Sequence, residues 1–155
     1  MRQAPAAQQA LLGILCHLAA TIALLNVPTG VVGASEPVKT LTSFYSTESC
    51  AYWERRGRHD CPTASGTSLY WLETHQPFFA ASWDYPLGRH LRVCQAAVGT
   101  QREPSRCVDV AVMDRGPAKR LVRAGRRLDL SRQAFQAVCG SLDHGTCQVE
   151  IRQVQ

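Results

Sequence analysis

Apolar and polar residues alternate in several short stretches of this chain, at the spacing typical of β-strands. The clearest stretch is 107–113 (CVDVAVM), and 91–98 precedes it across a connection rich in polar residues at 99–104. Two such stretches with a short turn between them predict a hairpin. Stretches 41–46, 127–130 and 147–151 also have strand character. The pattern therefore predicts a mostly β fold of about five to seven short strands.

One segment has helical spacing instead. Ala134, Phe135 and Val138 follow Ser131, a residue suited to an N-cap, and Gly140 suits the end of the helix. Stretches 69–72 (LYWL) and 77–83 (PFFAASW) are rich in aromatic residues and are predicted to be strand or irregular structure. A small chain of short strands tends to close into a barrel, because closure removes exposed strand edges.

The first 34 residues differ from the rest. Arg2 precedes an apolar stretch at 11–25, and Val32-Gly33-Ala34 resembles a cleavage site. This layout predicts a signal peptide at 1–34, which leaves a single domain at 35–155 that is secreted or periplasmic. The apolar stretch is short for a bilayer span, so no stable membrane span is expected after cleavage. An uncleaved N-terminal anchor is the alternative.

Cysteines indicate a disulfide framework. Of the seven in the chain, Cys16 falls in the predicted signal peptide, and the other six form an even set, as is typical of small exported domains. The tight cysteine or histidine pairs of a zinc site are missing from the sequence, so no metal is predicted. Bridges between cysteines that are neighbours in sequence would close a loop, join the two strands of the predicted hairpin, and tie the end of the predicted helix to the start of the last strand. The predicted pairs are Cys50–Cys61, Cys94–Cys107 and Cys139–Cys147.

Basic residues outnumber acidic ones, giving a formal net charge of +5. The excess is concentrated at 119–127, where such a run favours anionic partners. For an exported protein, those partners are wall polymers or lipid head groups rather than nucleic acid. A solvated basic loop with no partner is the alternative. The run consists of Lys119, Arg120, Arg123, Arg126 and Arg127.

Four segments, in order, resemble the motifs of the rare lipoprotein A (RlpA) family, which is related to expansins and to barwin-like plant proteins. Each motif alone is weak, whereas the four together span most of the predicted domain. The segments are Thr63-Ala64-Ser65-Gly66, Ala80-Ala81 with Tyr85-Pro86-Leu87-Gly88, Val110 to Pro117 (VAVMDRGP), and Leu128-Asp129-Leu130-Ser131 with Ala134-Phe135.

The resemblance implies a six-stranded double-psi β-barrel with one or two short helices, stapled by disulfides. Active members of the family look like lytic transglycosylases that cleave peptidoglycan without water. Such a reaction needs a carboxyl group whose pKa is raised toward neutral, so that it can donate a proton and then accept one. Asp114, in the D-R-G-P segment, is the retained candidate, with a turn-capping role as the alternative.

This chain departs from the family pattern at three positions. Thr67 and Tyr70 stand where the family has acidic residues, and Ser82 stands where it has histidine. Glu73, His75 and Asp84 lie in the stretch between these motifs and are candidates to replace the missing groups. Glu73 is predicted as the second carboxyl, and replacing it with Gln is expected to abolish cleavage. Asp129, ahead of a helix, is expected to cap that helix rather than to serve a site.

Hydroxyl, aromatic and guanidinium groups near these motifs are candidate sugar or carboxylate ligands. The predicted partner is peptidoglycan or another wall polysaccharide, bound by a monomer without a cofactor. Two other functions stay open: a non-catalytic, expansin-like glycan-binding module, and a barwin-like barrel that inhibits a secreted protease. The candidate binding residues are Thr63, Ser65, Trp71, Trp83, Tyr85 and Arg115.

Overall fold

Six strands form a closed barrel in the computed structural model, which describes residues 36–97 and 106–154. Around the barrel the strands follow the order β1-β5-β2-β4-β3-β6. The predicted signal peptide and the hairpin connection at 99–104 lie outside the described residues. The strands are β1 (Val38–Tyr45), β2 (Phe79–Ala81), β3 (His90–Gln95), β4 (Cys107–Asp114), β5 (Arg126–Ser131) and β6 (Cys147–Gln153).

Short helices connect the strands. Two further turns of 3-10 helix lie at Thr47–Cys50 and Leu142–His144. Among the described residues, the longest helix spans eight residues and follows β5 directly. The α-helices are α1 (Ala51–Glu54), α2 (Leu69–His75), α3 (Lys119–Arg123) and α4 (Arg132–Cys139).

Strand pairing divides the barrel into two equivalent halves. β1 pairs in parallel with β5, and β2 pairs in parallel with β4. The other four neighbouring pairs, β1–β6, β2–β5, β3–β4 and β3–β6, are antiparallel. Exchanging β1, β2 and β3 with β4, β5 and β6 leaves all of these pairings unchanged. The chain therefore builds its barrel from two three-strand units with the same connectivity.

Alternation along the strands separates an interior core from a second cluster outside it. Ala80 belongs to the interior cluster, whereas its neighbour Phe79 belongs to the second one. Phe135 of α4 packs against the interior cluster, with its ring 5.0 Å from that of Phe44. The second cluster consists of Cys50, Cys61, Leu69, Leu72 and Phe79.

The predicted hairpin and cysteine pairs are confirmed. β3 and β4 are antiparallel, with Cys94 directly opposite Cys107. Disulfides join Cys50 to Cys61, Cys94 to Cys107, and Cys139 to Cys147. Because each bridge restricts the unfolded chain, each is expected to stabilise the fold by about 2–4 kcal/mol.

The helical content exceeds the prediction of one or two helices. Stretch 69–72, predicted as strand or irregular structure, begins α2, because Leu69 and Leu72 fall three residues apart on one buried face. α4 matches its prediction: the Ser131 side chain accepts a hydrogen bond from the Ala134 amide, and Gly140 ends the helix at φ 89°. The basic stretch at 119–123 is helical rather than a loop.

Replacing Phe135 with Ala is expected to lower the free energy of unfolding by about 3–5 kcal/mol, because the ring is fully buried and its removal leaves a cavity. Phe78→Ala is the matched control, since that ring is 40% exposed and should cost under about 1 kcal/mol. Urea unfolding with the disulfides intact measures both. Equal losses would contradict the assignment of Phe135 to the core.

Candidate functional site

Asp114 is the last residue of β4, and one of its carboxylate oxygens is fixed by backbone amides. Oδ1 accepts hydrogen bonds from the Ala64 and Arg115 amides, each at 2.8 Å. Among the described residues, no donor bonds to Oδ2. Burial raises the pKa of Asp114, and the two amides and the Arg115 charge oppose that rise only in part. The carboxyl group is thus oriented and biased toward its protonated form.

The turn at 63–66 supplies one of those amides. The Thr63 hydroxyl lies 2.9 Å from the Ser65 hydroxyl and donates to the Thr67 carbonyl at 2.8 Å. The Ser65 amide donates to the Met113 carbonyl at 3.1 Å, which joins the turn to the end of β4. Thr63 and Ser65, both predicted as ligand-binding residues, therefore shape the turn that presents the Ala64 amide to Asp114.

A second carboxyl group lies across β2 from Asp114. Ala81 pairs with Asp114 of β4 on one side and with Asp129 of β5 on the other. The register of β2 with β4 shifts between Ala80 and Ala81, so that Met113 is passed over and Asp114 lies opposite Ala81. The two aspartates are therefore the partners of the same β2 residue on its two sides. The register of two strand pairs thereby brings together two acidic residues that are 15 positions apart in sequence.

Asp129 is held by contacts from β1 and β5. Its Oδ1 accepts a hydrogen bond from the Ser43 hydroxyl at 2.5 Å, and Nε of Arg126 lies 3.5 Å from the same oxygen. Burial raises the pKa of Asp129, while the Ser43 bond and the Arg126 charge act in the opposite direction. The pKa values of Asp114 and Asp129 are therefore both raised, and burial is the main cause in each case.

Gly116 brings the loop after β4 close to this pair. A Cβ atom at that position would lie 3.1 Å from Cβ of Ala81 and 3.6 Å from Oδ2 of Asp129. The first distance is tighter than an ordinary van der Waals contact, so a side chain there would push the loop away. The glycine of the D-R-G-P segment thus allows the loop to pass directly over Ala81.

Tyr45 ends β1 and places a hydroxyl group near both aspartates. The hydroxyl oxygen is buried and has no hydrogen-bond partner among the described residues. Burial raises the pKa of Tyr45, and the negative charges of Asp114, Asp129 and Glu73 raise it further. Tyr45 and Asp114 hold equivalent positions in the two halves of the barrel. Tyr45, the last residue of β1, pairs with Ser131, the last residue of β5, and Asp114, the last residue of β4, pairs with Ala81, the last residue of β2.

Glu73, predicted as the second catalytic carboxyl, lies in α2 and binds a different part of the chain. Its Oε1 accepts from the Thr47 amide at 2.9 Å, and its Oε2 accepts from the Thr47 hydroxyl at 3.0 Å. Both oxygens are therefore engaged at the first residue of a 3-10 helix. In this structure Glu73 ties α2 to the segment after β1, and the two carboxyls that share β2 are Asp114 and Asp129.

Arg115, Tyr85 and Ser82 build the loop beside Asp114. One guanidinium nitrogen of Arg115 donates to the Ser82 carbonyl at 2.9 Å and to the Tyr85 carbonyl at 2.7 Å. The Ser82 side chain is buried, donates to the Arg127 carbonyl at 3.2 Å and accepts from the Asp84 amide at 3.2 Å. Ser82 is thus a loop-forming residue in this structure.

Trp71 and Trp83, two of the predicted stacking residues, are equally exposed at 47% but differ in position. The Trp83 indole donates to the Pro117 carbonyl at 2.8 Å, three residues beyond Asp114. The Trp71 ring stacks on His75 within α2, with ring centroids 4.8 Å apart. The structure therefore connects Trp83 to the Asp114 loop and leaves Trp71 on a helix.

Asp129 is the residue of this candidate site that the sequence did not predict as one. It was expected to cap the following helix, but the Ser131 side chain performs that role. The available signal was alternation: Asp129 stands between Leu128 and Leu130, both fully buried, which places its side chain on the opposite face of the strand.

A cleft of about 490 Å³ lies elsewhere on the barrel, lined by residues 86–90 together with Asp109 and Val154. It includes none of the predicted site residues. Within the part of the chain that the structure describes, no three His, Cys, Asp or Glu residues are grouped as they would be to hold a metal ion. The same residues include no helix with the length and apolarity needed to cross a bilayer.

Comparison with known proteins adds no family to these observations. No family model matches the chain, and no curated protein matches it. The fold and the site define a disulfide-bonded, six-stranded mixed β-barrel in which Asp114, at the end of β4, and Asp129, within β5, lie on either side of β2.

Replacing Asp129 with Asn is expected to change how stability depends on pH. A carboxyl whose pKa is raised on folding binds its proton more tightly in the folded state, so its contribution to stability is largest at low pH. That contribution is lost as pH rises through the raised pKa. The unfolding free energy of D129N relative to the parent should therefore increase as pH rises above the ordinary aspartate value.

Urea unfolding of both proteins at a series of pH values measures this difference. Asp143→Asn is the control, because that aspartate lies in an exposed part of the Leu142–His144 turn. A pH-independent difference between D129N and the parent would show that Asp129 titrates alike in the folded and unfolded chains.

Proposed function

We propose that this chain is an exported, glycan-directed protein of the bacterial cell wall, with Asp114 as its site carboxyl and peptidoglycan as its polymer. The observation that carries the proposal is the state of Asp114: one oxygen is fixed by two amides, the other accepts no bond from the described residues, and burial raises its pKa. Those are the properties required of a group that protonates a glycosidic oxygen.

We also propose that the barrel is of the double-psi type. Two observations support this assignment: the pairing pattern is unchanged when the two halves are exchanged, and each half contributes one strand pair that is parallel. Two of the segments that resemble RlpA motifs are also in contact, since the Ala64 amide of the turn at 63–66 donates to Asp114 of the D-R-G-P segment.

The proposed reaction is lytic cleavage of the glycan strand. The Asp114 carboxyl group donates its proton to the glycosidic oxygen as the bond from that oxygen to the anomeric carbon breaks. The sugar's own C6 hydroxyl then attacks the anomeric carbon and gives its proton to the carboxylate, which restores the acid. No water is consumed, and a 1,6-anhydro sugar is left at the new end.

Asp129 is the second carboxyl in this proposal. As an anion it would stabilise positive charge that develops on the sugar ring in the transition state. Its support is its position across Ala81 from Asp114. Glu73 is the other candidate, with both oxygens bound by Thr47.

A non-catalytic glycan-binding function is the second candidate, and one observation favours it. Thr67, Tyr70 and Ser82 replace the acidic residues and the histidine that the resemblance implies, and Ser82 is fully buried within its loop. A barrel that holds the sugar strand without cutting it would need the exposed indole face of Trp83 more than it needs a proton donor.

Disulfide content supports the proposed location. Three disulfides join the six cysteines that follow the predicted signal peptide. Such bridges form and persist in oxidising compartments, which fits a secreted or periplasmic protein.

Purified protein incubated with peptidoglycan sacculi is expected to release anhydromuramyl products, and D114N should reduce the rate by about 100-fold or more, since the variant has no transferable proton. D129N and E73Q, measured alongside, distinguish the two candidate second carboxyls by which one lowers the rate. Chromatography with mass spectrometry identifies the products. Release at the parental rate by D114N would refute Asp114 as the acid, and binding to sacculi without release would establish the second candidate.

Trp83→Ala is expected to weaken binding to sacculi by about 3- to 10-fold, because its exposed ring adjoins the Asp114 loop and stacking contacts contribute about 0.5–1.5 kcal/mol. Trp71→Ala is the matched control, with the same exposed fraction on α2. Sedimentation of protein with sacculi measures both affinities. A larger loss for Trp71→Ala would move the binding surface to α2.

A further inference from the structure

Three adjacent cations on α3 have no acidic partner among the described residues. Lys119, Arg120 and Arg123 are all exposed, and none forms an ion pair within the part of the chain that the structure describes. No acidic residue occurs from 115 to 128. We call this set the α3 basic surface. Its positive charge is uncompensated locally, which favours an anionic partner.

The two remaining arginines of the same basic run are neutralised. Nε of Arg126 lies 3.5 Å from the Asp129 carboxylate, and Nε of Arg127 lies 2.8 Å from that of Asp84. The sequence contained one undivided run of five cations, and the fold divides it. Arg126 pairs with Asp129 and Arg127 pairs with Asp84, while the three residues of the α3 basic surface are exposed to solvent.

The α3 basic surface adjoins the proposed site. α3 begins two residues after Pro117, whose carbonyl accepts the Trp83 indole N–H. Nζ of Lys119 lies 5.3 Å from the centroid of the Trp83 ring. The chain therefore passes from Asp114 to α3 within five residues, with Trp83 in contact with the segment between them. A polymer that covered Trp83 would meet Lys119 first.

We propose that the α3 basic surface binds anionic groups of the wall polymer, either peptide-stem carboxylates or the phosphodiesters of an attached anionic polymer. This proposal rests on the proposed function, since it assigns the charged substituents of the same substrate. Lysine and arginine bind carboxylate and phosphate through charge-assisted hydrogen bonds. The protein would then recognise two features of the polymer: its sugars at Asp114 and Trp83, and its negative charge at α3.

The composition of α3 favours a wall polymer over a lipid surface. Its two apolar residues, Leu121 and Val122, are half-buried rather than directed to solvent. A helix that binds the bilayer interface normally inserts an exposed apolar face. α3 has cations but no such face, so it is suited to a hydrated polyanion.

The test measures binding to sacculi by the parent and by the triple variant K119Q/R120Q/R123Q at low salt. The triple variant is expected to bind about tenfold more weakly. Each exposed charge contributes little binding free energy alone, but the contributions of three charges add. Added salt should weaken the parent more than the variant. The control is R55Q/R56Q/R152Q, which removes three exposed arginines that also lack ion pairs among the described residues, from other elements. It should bind as the parent does.

Chemical treatment of the sacculi identifies the anion. Amidation of carboxyl groups abolishes the difference between parent and triple variant if carboxylates are bound, and hydrofluoric acid does so if phosphodiesters are bound. Vesicles of equal parts phosphatidylcholine and phosphatidylglycerol form the lipid arm, and neither protein should bind them.

Three results would overturn the proposal: equal binding of sacculi by parent and triple variant, an equal loss in the control, or vesicle binding that depends on α3. Failure of every protein, the parent included, to bind sacculi would instead refute the proposed function. Circular dichroism of each variant confirms that it is folded.

Discussion

The pairing of β2 with two different strands is the contact on which the rest of this structure depends. β2 has only three residues, yet it joins β4 in parallel and β5 antiparallel, and so connects the two halves of the barrel. Ala80 belongs to the interior core, while Ala81 pairs with Asp114 on one side and with Asp129 on the other. Because side chains alternate along a strand, one short strand both closes the fold and spaces the carboxyl groups.

The two aspartates of the candidate site are largely buried, and their hydrogen bonds and nearby arginines compensate only in part for the loss of water. Asp114 and Asp129 each accept bonds from neutral donors, and each lies near one arginine charge, but burial dominates and raises both pKa values. Tyr45 adds a buried hydroxyl that would not ionise beside two carboxylates. Such an arrangement costs stability, and proteins commonly accept that cost where a group must exchange protons.

Local patterns were sufficient to predict most of the fold. The alternation at 107–113, the helix start at Ser131 and the neighbouring cysteine pairs all act over short distances, and the structure confirms each one. α2 was not predicted, because its aromatic residues favour strands in isolation and only the shared burial of Leu69 and Leu72 selects a helix. The candidate site could not be predicted from local patterns. Asp114 and Asp129 are brought to the two sides of Ala81 by the register of β2 with two strands that are far from it in sequence.

The bridge between Cys50 and Cys61 has a consequence for the geometry at Asp114. It anchors the chain three residues before Ala64, whose amide orients the Asp114 carboxylate. While these cysteines are reduced, the turn is still held to β4 by the hydrogen bond from the Ser65 amide to the Met113 carbonyl, but it has no covalent anchor. Oxidation therefore does more than stabilise the barrel: it fixes covalently the segment that supplies the Ala64 amide, so the geometry around Asp114 depends on the redox state of two cysteines outside the strands.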